Sequence, residues 1–391
     1  MRILFFCYTE FGLVGGVETV VLTMAKNLSK QGHITGIVDL GPGWKPRHLT
    51  HGDTPIWTIA GPSFPTLRRP RSWASYLRAL WQFRAICHEF EPDIIHVHFP
   101  LGQCLPMTAA HMLPHRWRSV TTVHGSDIWV CPVGDPRLQV WQSRLFKCTD
   151  AVTSVSQSLL EETSCLYPCV SAKGRVIYNG IDPQWFNSAL VANTGSDKFV
   201  LFVGRLHAVK AVDVLLHAWS RIHVRLPKTK LRLAGDGGER EKLKAIALNL
   251  GIESAVEFLG EKSPAELQGL YRDALLVVLP SRHEGLGMVL LEAGACGAIC
   301  VGTRVTGISE VIIDGVTGFL VEPQSPDALA DAILRAANLM SDERQRMSQT
   351  AKARVRTQFD QEVVITKYLD LYRALLGPMQ GENRVSQRQG S

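Results

Sequence analysis

The sequence predicts an α/β protein made of two Rossmann-like, doubly wound domains. Its 391 residues are too many for one ordinary hydrophobic core, so two domains of similar size are expected. In the first half of the chain, strand signals alternate with helix signals, which indicates βαβ units and a parallel sheet. The same alternation starts again near residue 199, after a cluster of turn residues, and predicts a second domain of the same class.

Short apolar runs predict the strands, and segments with helical periodicity predict the helices between them. The helix after residue 155 should be capped by Ser156 or Ser158. In the first half the predicted strands are 3–8, 34–39, 56–59, 93–98, 120–124, 151–155 and 175–177, and the predicted helices are 17–30 and 156–166. In the second half the predicted strands are 199–203, 231–234, 256–259 and 275–279, and the predicted helices are 212–222, 288–295, 328–338, 342–357 and 361–375.

These elements predict the limits of the domains. An N-terminal domain should cover residues 1–185 and a C-terminal domain residues 197–360, with a linker over residues 183–197. A last helix should cover residues 361–376, and residues 377–391 should form a polar tail.

The composition is typical of a soluble globular protein, because 46% of the residues are hydrophobic and only 20% are charged. No apolar run approaches the roughly 20 residues that span a bilayer, and the first apolar run is too short for a signal peptide. The nine cysteines form no C-x-x-C pair, so reduced thiols in a cytoplasmic protein are expected. The net charge of +6 does not by itself suggest nucleic acid.

The stretch over residues 275–300 carries the strongest functional signal. An apolar run is followed by a polar, glycine-containing loop and then by a segment of helix-forming residues. Glu284 lies in the loop and Glu292 lies inside the helix, so both carboxylates can face one cleft. The amide N–H groups around Gly287 and Met288 should point out of the helix N-terminus, where an anion is favoured. A ligand that carries both hydroxyls and phosphates, such as a sugar nucleotide, suits this combination.

Three other loops follow predicted strands at the edge where ligands bind in such sheets. Arg205 and Lys210 follow one strand, and a forked donor with a point charge suits a diphosphate. Gly15 and Gly16 lie between the first strand and helix, where they let the backbone approach a pyrophosphate closely. They form no G-x-G-x-x-G fingerprint, so a nicotinamide cofactor is poorly supported. His124 lies where another strand ends.

Three motifs resemble one known family. The segment PSRHEGLGMVLLEA, which contains Glu284 and Glu292, closely resembles the E-x7-E motif of the retaining GT-B glycosyltransferases of family 4, also called glycosyl transferases group 1. The segment GRLHAVKA, with Arg205 and Lys210, resembles the G-R-x4-K-G motif of that family. The segment TVHGSD, with His124, resembles its HG-x-D segment. The resemblance covers the chain from residue 1 to about residue 376.

Two positions depart from the family pattern. Ala211 stands where a glycine is expected after the lysine, and its methyl group should shift the loop slightly without removing a charge. Thr306 stands where a glycine is usual, in the family-like segment that ends at Glu310.

The resemblance implies a GT-B fold whose two domains face each other across a cleft. The first domain would lie on the acceptor side, the second would bind the nucleotide sugar, and the last helix would cross back to the first domain. Arg205 and Lys210 would hold the leaving diphosphate, Glu284 the sugar hydroxyls, and Glu292 the ribose diol. The implied catalytic residues are Glu284, Lys210, Arg205 and His124, and the implied donor-binding residues are Gly15, Gly16, Gly260, Leu286, Gly287, Met288 and Glu292.

The resemblance also implies metal-independent chemistry that retains the anomeric configuration. No D-x-D motif appears in a plausible metal-binding context, and no cofactor is expected besides the nucleotide-sugar substrate. We prefer attack on the sugar from the face that the diphosphate leaves, with the leaving phosphate accepting the proton of the acceptor. A covalent route through Glu284 is the alternative.

Residues 68–84 carry an unusual concentration of positive charge. No acidic residue occurs between Asp53 and Glu89, and the apolar side chains lie at helical spacing, most of them expected in the core. Trp81 falls beside that face, where its ring could reach a lipid interface. Peripheral membrane contact, binding of an anionic acceptor and an ordinary amphipathic helix all remain open. The arginines are Arg68, Arg69, Arg71, Arg78 and Arg84, and the apolar face is Trp73, Tyr76, Leu77, Leu80, Phe83 and Cys87.

The sequence therefore predicts a retaining hexosyltransferase of the cytoplasm or of the inner face of the membrane. The expected donor is a UDP-sugar first and GDP-mannose second. The expected acceptor is lipid-linked or a glycan, in cell-envelope or exopolysaccharide biosynthesis. The alternatives are the same chemistry on a small soluble acceptor and a catalytically silent nucleotide-sugar-binding protein.

Overall fold

A computed structural model describes residues 1–7, 16–41, 47–60, 70–129, 135–187 and 198–377. The chain divides into two compact units. The first contains Met1–Val155, Leu160–Ile177 and Val364–Ser391, and the second contains Ser156–Leu159 and Tyr178–Val363. Each unit is built on one sheet flanked by helices, which confirms the predicted α/β class.

The first unit contains an eight-stranded sheet with the order β3-β4-β2-β1-β5-β6-β7-β8. Neighbouring strands are parallel except β3, which is antiparallel to β4. The sequence did not predict β3, because its residues RHLTH include only one large apolar side chain. The strands are β1 (Arg2–Cys7), β2 (Ile34–Gly41), β3 (Arg47–His51), β4 (Thr54–Ala60), β5 (Ile94–His98), β6 (Arg118–Val123), β7 (Ala151–Ser154) and β8 (Gly174–Val176).

Helices form two separate cores with this sheet. One core combines β1 with α1 and the last helix, α14, whose Tyr368 and Tyr372 are fully buried. The last helix therefore packs on the first unit because its apolar side chains complete that core. The other core combines the sheet with α2, α3 and α5. The helices are α1 (Gly16–Lys30), α2 (Pro70–Phe90), α3 (Cys104–His111), α4 (Ser126–Trp129), α5 (Pro136–Cys148), α6 (Gln157–Leu166) and α14 (Gln361–Leu376).

The core face of α2 differs from the predicted one. Phe83 and Ile86 are buried, together with the small side chain of Ala79. Trp73 and Leu77 are exposed, so their assignment to the core was wrong. The reason is that α2 carries more apolar residues than one buried stripe needs, and periodicity alone does not show which stripe packs. Arg68 and Arg69 lie outside the described residues.

The second unit contains a parallel six-stranded sheet with the order β11-β10-β9-β12-β13-β14. The chain runs from β9 towards one edge and returns at β12 towards the other. The loops after β9 and β12 therefore flank a topological switch point, where ligands bind in such sheets. The strands are β9 (Lys198–Val203), β10 (Thr229–Ala234), β11 (Val256–Gly260), β12 (Leu276–Leu279), β13 (Cys300–Thr303) and β14 (Gly318–Val321).

Helices of the second unit begin at well-formed caps. The Ser263 hydroxyl accepts the Glu266 N–H while the Glu266 carboxylate accepts the Ser263 N–H, and Ser325 caps the helix that follows it. The predicted cap Ser156 is confirmed, because its hydroxyl accepts the Leu159 N–H. The helices are α7 (Val212–Ile222), α8 (Arg240–Asn249), α9 (Pro264–Asp273), α10 (Met288–Ala295), α11 (Ile308–Val311), α12 (Pro326–Ala337) and α13 (Ser341–Phe359).

Part of the predicted linker is helical, since Pro183–Asn187 forms a 3₁₀ helix, and residues 188–197 lie outside the described part of the chain. No described helix has the length and apolarity needed to cross a membrane. The eight cysteines in the described ranges are all free thiols.

Candidate active site

An ion pair between Lys210 and Glu284 lies at the centre of the candidate site in the second unit. The Lys210 Nζ lies 2.5 Å from the Glu284 Oε2, and the two side chains are only 21% and 16% exposed. The Ser281 hydroxyl also donates to this oxygen, at 3.2 Å. Lys210 follows β9 and Glu284 follows β12, so the switch point of the sheet brings together two residues that lie far apart in the sequence.

The turn that carries Lys210 (residues 208–211, the lysine turn) ends in a strained residue. Ala211 has φ 51° and ψ 38°, which is the left-handed conformation that favours glycine. The side chain of Ala211 is fully buried. Ala211 therefore keeps a backbone conformation that suits the glycine expected at this position, and the chain tolerates the strain. The expected slight shift of the loop stays a prediction.

The loop that carries Glu284 (residues 280–287, the glutamate loop) ends at the N-terminus of α10. Gly287 has φ 85° and ψ 55°, a conformation that a side chain would strain, and Met288 begins the helix. An added Cβ on Gly287 would lie 3.6 Å from the Glu284 Cγ, so the helix N-terminus starts beside this carboxylate. Leu286 is buried and anchors the loop. The free N–H groups of this helix end favour an anion.

Arg282 links the glutamate loop to the lysine turn through hydrogen bonds. Its guanidinium donates to both carboxylate oxygens of Asp213, at 3.1 and 2.8 Å, and also to the Ala208 carbonyl. Its backbone N–H donates to the Val209 carbonyl at 2.8 Å. Burial alone would raise the pKa of Asp213, but the Arg282 hydrogen bonds outweigh it and hold that pKa below its usual value. The sequence analysis missed this pair, because no local pattern links its two residues.

Glu292 lies on α10 and contacts a buried tyrosine of α9. The Tyr271 hydroxyl donates to the Glu292 Oε2 at 2.8 Å, and the Tyr271 side chain is fully buried. Burial raises the pKa of Glu292 to about 7, although the hydrogen bond from Tyr271 opposes the shift. Near neutral pH this carboxyl group therefore exists in both protonation states.

Arg205 follows β9 and Gly260 ends β11, so both lie at the same edge of the sheet. The Arg205 side chain is exposed and has no hydrogen-bond or ion-pair partner within the described ranges. Gly260 has φ 69°, and its carbonyl accepts the Gly235 N–H at 2.8 Å. Gly235 in turn has no room for a side chain, because an added Cβ would lie 2.0 Å from the Gly204 carbonyl oxygen. The loops after β9, β10 and β11 are therefore packed backbone to backbone.

His124 lies in the first unit, directly after β6, and a buried carboxylate fixes its backbone. Both carboxylate oxygens of Asp127 accept the His124 N–H at 3.1 Å, and one accepts the Gly125 N–H at 2.6 Å. Burial raises the pKa of Asp127 to about 7, against the effect of these backbone donors. The sequence analysis assigned no role to Asp127.

The ring of His124 contacts a second histidine, His98, at the end of β5. The His124 Nε2 lies 3.1 Å from the His98 Nδ1, so one ring donates to the other. Burial lowers the pKa of His124 to about 3 and that of His98 well below its ordinary value, so both rings are neutral at physiological pH. The His98 Nε2 is buried and has no hydrogen-bond partner among the described residues. The next residue, Phe99, has φ 57°, a strained conformation beside the site.

The remaining predicted residues are described only in part. Gly16 begins α1, and an added Cβ there would meet no atom within 4 Å. Gly15 lies outside the described residues. Within the described ranges, no group of three histidine, cysteine or acidic residues could hold a metal ion.

The second unit thus combines a lysine, an arginine with no partner among the described residues and a helix N-terminus, which favour phosphate, with carboxylates, which accept hydroxyl groups. Two α/β units with this set of groups are typical of the GT-B class of glycosyltransferases.

Comparisons with known proteins identify the family. Residues 14–185 match Glycosyltransferase Family 4, and residues 184–354 match Glycosyl transferases group 1. The chain is 35% identical over 295 residues to N-acetyl-α-D-glucosaminyl L-malate synthase of Bacillus anthracis, an alignment that covers 73% of this chain and 75% of that protein. This chain belongs to the family 4 GT-B glycosyltransferases, as its motifs predicted.

Solved structures share the fold at low sequence identity. Sucrose-phosphate synthase of Thermosynechococcus elongatus has a TM-score of 0.80 at 21% identity, over 95% of this chain and 98% of that chain. Anabaena HepE, solved in complex with UDP and glucose, has a TM-score of 0.75 at 20% identity, over 96% of this chain and 100% of that chain.

Proposed function

We propose that this glycosyltransferase transfers a hexose, with retention, from a nucleotide-diphosphate sugar to a lipid-linked or glycan acceptor of the cell envelope or an exopolysaccharide. The donor is a UDP-sugar first and GDP-mannose second. The ion pair between Lys210 and Glu284, beside the N-terminus of α10, is the observation that carries the proposal. The complex of HepE with UDP and glucose supports a uridine nucleotide.

The ion pair explains how the site can hold two largely buried charges. Lys210 and Glu284 compensate each other at 2.5 Å. A sugar nucleotide offers both residues replacement partners, because its diphosphate attracts the lysine while its sugar hydroxyls donate to the carboxylate. Arg205, which has no partner within the described ranges, gives the diphosphate a further cationic contact.

In the proposed reaction, the bond between the anomeric carbon and the phosphate oxygen breaks, and the diphosphate leaves with the electron pair. The acceptor hydroxyl oxygen forms the new bond on the same face, and its proton passes to the leaving phosphate oxygen. Lys210, Arg205 and the N–H groups at Met288 stabilise the charge that develops on the diphosphate. The alternative is a covalent route in which the Glu284 carboxylate attacks the anomeric carbon and displaces the diphosphate. The acceptor hydroxyl then displaces Glu284 from the sugar and passes its proton to the diphosphate. Neither route includes a metal ion or a cofactor.

A small soluble acceptor is the second candidate. It is favoured by the relative from Bacillus anthracis, whose name identifies L-malate as the group that is glycosylated. The donor site proposed above is the same in both cases.

The proposed location of the enzyme is the cytoplasm, as expected for a protein with reduced cysteines.

Donor screening tests the proposal directly. Purified enzyme is incubated with UDP-, GDP- and ADP-sugars, and nucleotide release is measured with and without L-malate or lipid extract. Lys210→Ala should lower turnover by roughly 10²–10³, the typical cost of losing one group that stabilises transition-state charge. Lys244→Ala is the matched control, because Lys244 forms an exposed ion pair with Glu241 in the same unit.

Three outcomes would contradict parts of the proposal. Near-wild-type turnover in Lys210→Ala would remove the diphosphate assignment, and absence of release with every donor and acceptor would favour a silent binding protein. Activity that requires added Mn²⁺ after treatment with EDTA would contradict metal independence. The anomeric configuration of the product, read by NMR, decides between retention and inversion.

A further inference from the structure

Helix α2 presents large apolar side chains to solvent. Trp73, Leu77 and Trp81 are 43%, 57% and 72% exposed, and they follow one another at intervals of four residues. They therefore form a continuous stripe along the outer side of the helix, called here the apolar stripe. The opposite side of the helix is buried through Phe83 and Ile86, so the apolar stripe is not needed for the core. Exposed tryptophans in a row indicate a surface that contacts something else.

Helix α5 adds a basic face beside α2. The rings of Tyr76 and Trp141 lie 6.4 Å apart, and the Arg144 guanidinium lies 4.7 Å above the Trp141 ring, so the two helices are neighbours. Arg137, Val140, Arg144 and Lys147 are exposed and lie three or four residues apart, which places them on one side of α5. This group is called here the basic face.

Charge is strongly one-sided across the two helices. Helix α2 contains three arginines and α5 contains two arginines and a lysine, whereas Glu89 is the only acidic residue of either helix. The Arg137 guanidinium pairs with Asp135 at the start of α5, but neither Arg144 nor Lys147 has an ion-pair partner among the described residues. Such a surface attracts an anionic partner.

A bilayer suits this surface better than a folded protein does. The apolar stripe is one side chain wide, whereas a stable protein interface buries roughly 800 Å² on each partner. Tryptophan rings favour the headgroup level of a membrane, and an amphipathic helix with adjacent basic residues lies in that plane. Anionic headgroups then attract the lysine and arginine side chains.

We infer that the first unit binds the surface of an anionic lipid bilayer through α2 and α5. The apolar stripe lies at the level of the headgroups, and the basic face contacts the anionic headgroups. This goes beyond the proposed glycosyl transfer and does not depend on it. It also changes the expectation drawn from the arginines of residues 68–84, because exposed tryptophans and a second helix now define the surface.

Vesicle flotation of the full chain, without donor or acceptor, tests the inference. The protein is mixed with vesicles of phosphatidylcholine alone or of phosphatidylcholine with phosphatidylglycerol. The wild type should float with the anionic vesicles and not with the neutral ones, and added salt should release it. Both Trp73→Ser/Trp81→Ser and Arg144→Glu/Lys147→Glu should lower the partition constant roughly tenfold or more.

Matched controls lie elsewhere in the same unit. Leu166→Ser removes an exposed apolar side chain from α6, and Lys26→Glu reverses an exposed charge on α1, so both variants should float like the wild type. Melting temperatures verify that all variants are folded. The inference is overturned if the wild type does not float with anionic vesicles or if the controls lose as much binding as the test variants. It is also overturned if the tryptophan variant changes the oligomeric state in light scattering and leaves flotation unchanged.

Discussion

Replacing Glu292 by glutamine should stabilise the protein above neutral pH. Burial raises the pKa of this group from 4.5 to about 7. Between about pH 4.5 and pH 7 the folded state therefore holds a proton on Glu292 that the unfolded state has lost. This difference in proton binding contributes to the free energy of unfolding. The contribution is fully present below pH 4.5 and is lost as the pH rises through 7. The shift corresponds to roughly 3 kcal/mol, of which about 2–3 kcal/mol is lost between about pH 5 and pH 8.

Glu292→Gln removes this titration and keeps an acceptor for the Tyr271 hydroxyl. Its amide N–H groups need partners of their own, so the realised gain at pH 8 should be smaller, about 1–2 kcal/mol. Urea unfolding of both proteins at about pH 5 and pH 8 measures the change in free energy. Glu253→Gln, at an exposed glutamate of the same unit, is the control.

The same substitution should weaken the proposed donor contact. An ionised Glu292 accepts both ribose hydroxyls, whereas a protonated carboxyl or an amide is a poorer acceptor. The donor KM of the wild type should therefore fall as the pH rises through 7, and the donor KM of Glu292→Gln should be higher and flat over this range. An unfolding free energy with the same pH dependence in both proteins would refute the burial argument. A wild-type donor KM that does not change with pH would refute the ribose contact.

Three further predictions concern residues that position the site. Arg282→Lys should lower kcat roughly tenfold with little change in melting temperature, because a lysine cannot reproduce the two-point pair with Asp213 that fixes the lysine turn. His98→Phe should lower kcat several-fold, since it removes the hydrogen bond to the His124 ring, while the KM for the donor changes less. Ala211→Gly should change the unfolding free energy by less than about 1 kcal/mol, because relief of left-handed strain offsets the lost methyl burial and the more flexible unfolded chain.

Each of these predictions has a control and a contradicting result. Arg221→Lys changes an exposed pair with Asp327 and should leave kcat unaltered; equal losses in both arginine variants would refute the positioning role. A melting temperature that falls in parallel with kcat in His98→Phe would indicate a structural role alone. A loss of more than about 2 kcal/mol in Ala211→Gly would show that the buried methyl matters more than the strain.

Local patterns predicted most of the strands, because many of them are runs of large apolar residues between loops of glycine and polar residues. The four-residue strands β13 and β14 were not predicted, since each contains a glycine and gives only a short apolar signal. The prediction failed where the pattern is weak or ambiguous. The edge strand β3 has little apolar signal, and α2 has apolar residues on more than one side. Which side packs depends on the neighbouring helices, so Trp73 and Leu77 could not be assigned from periodicity.

The sequence indicated the charged residues at the centre of the site, but not the contacts between them. Motifs indicated Lys210 and Glu284 separately, but their 2.5 Å contact depends on two loops that meet at the switch point of the sheet. Arg282 and Asp213 lie 69 positions apart and show no shared local pattern. His98 was likewise missed as a partner of His124, since strand order decides that β5 and β6 lie side by side. Asp127 was missed for another reason: its contacts with the His124 and Gly125 N–H groups are a local turn within the recognised segment.

The two ion pairs around the lysine turn have the same physical role. The site holds charged side chains that a folded protein otherwise leaves in water. A partly buried charge without a partner destabilises the folded state, because its desolvation is not compensated. Lys210 pairs with Glu284 and Arg282 pairs with Asp213, so opposite charges compensate in two adjacent couples. In the proposed reaction the first couple exchanges its partners for the sugar nucleotide, whereas the second couple joins the two loops. We therefore expect the second couple to keep the lysine turn in place while the first couple opens.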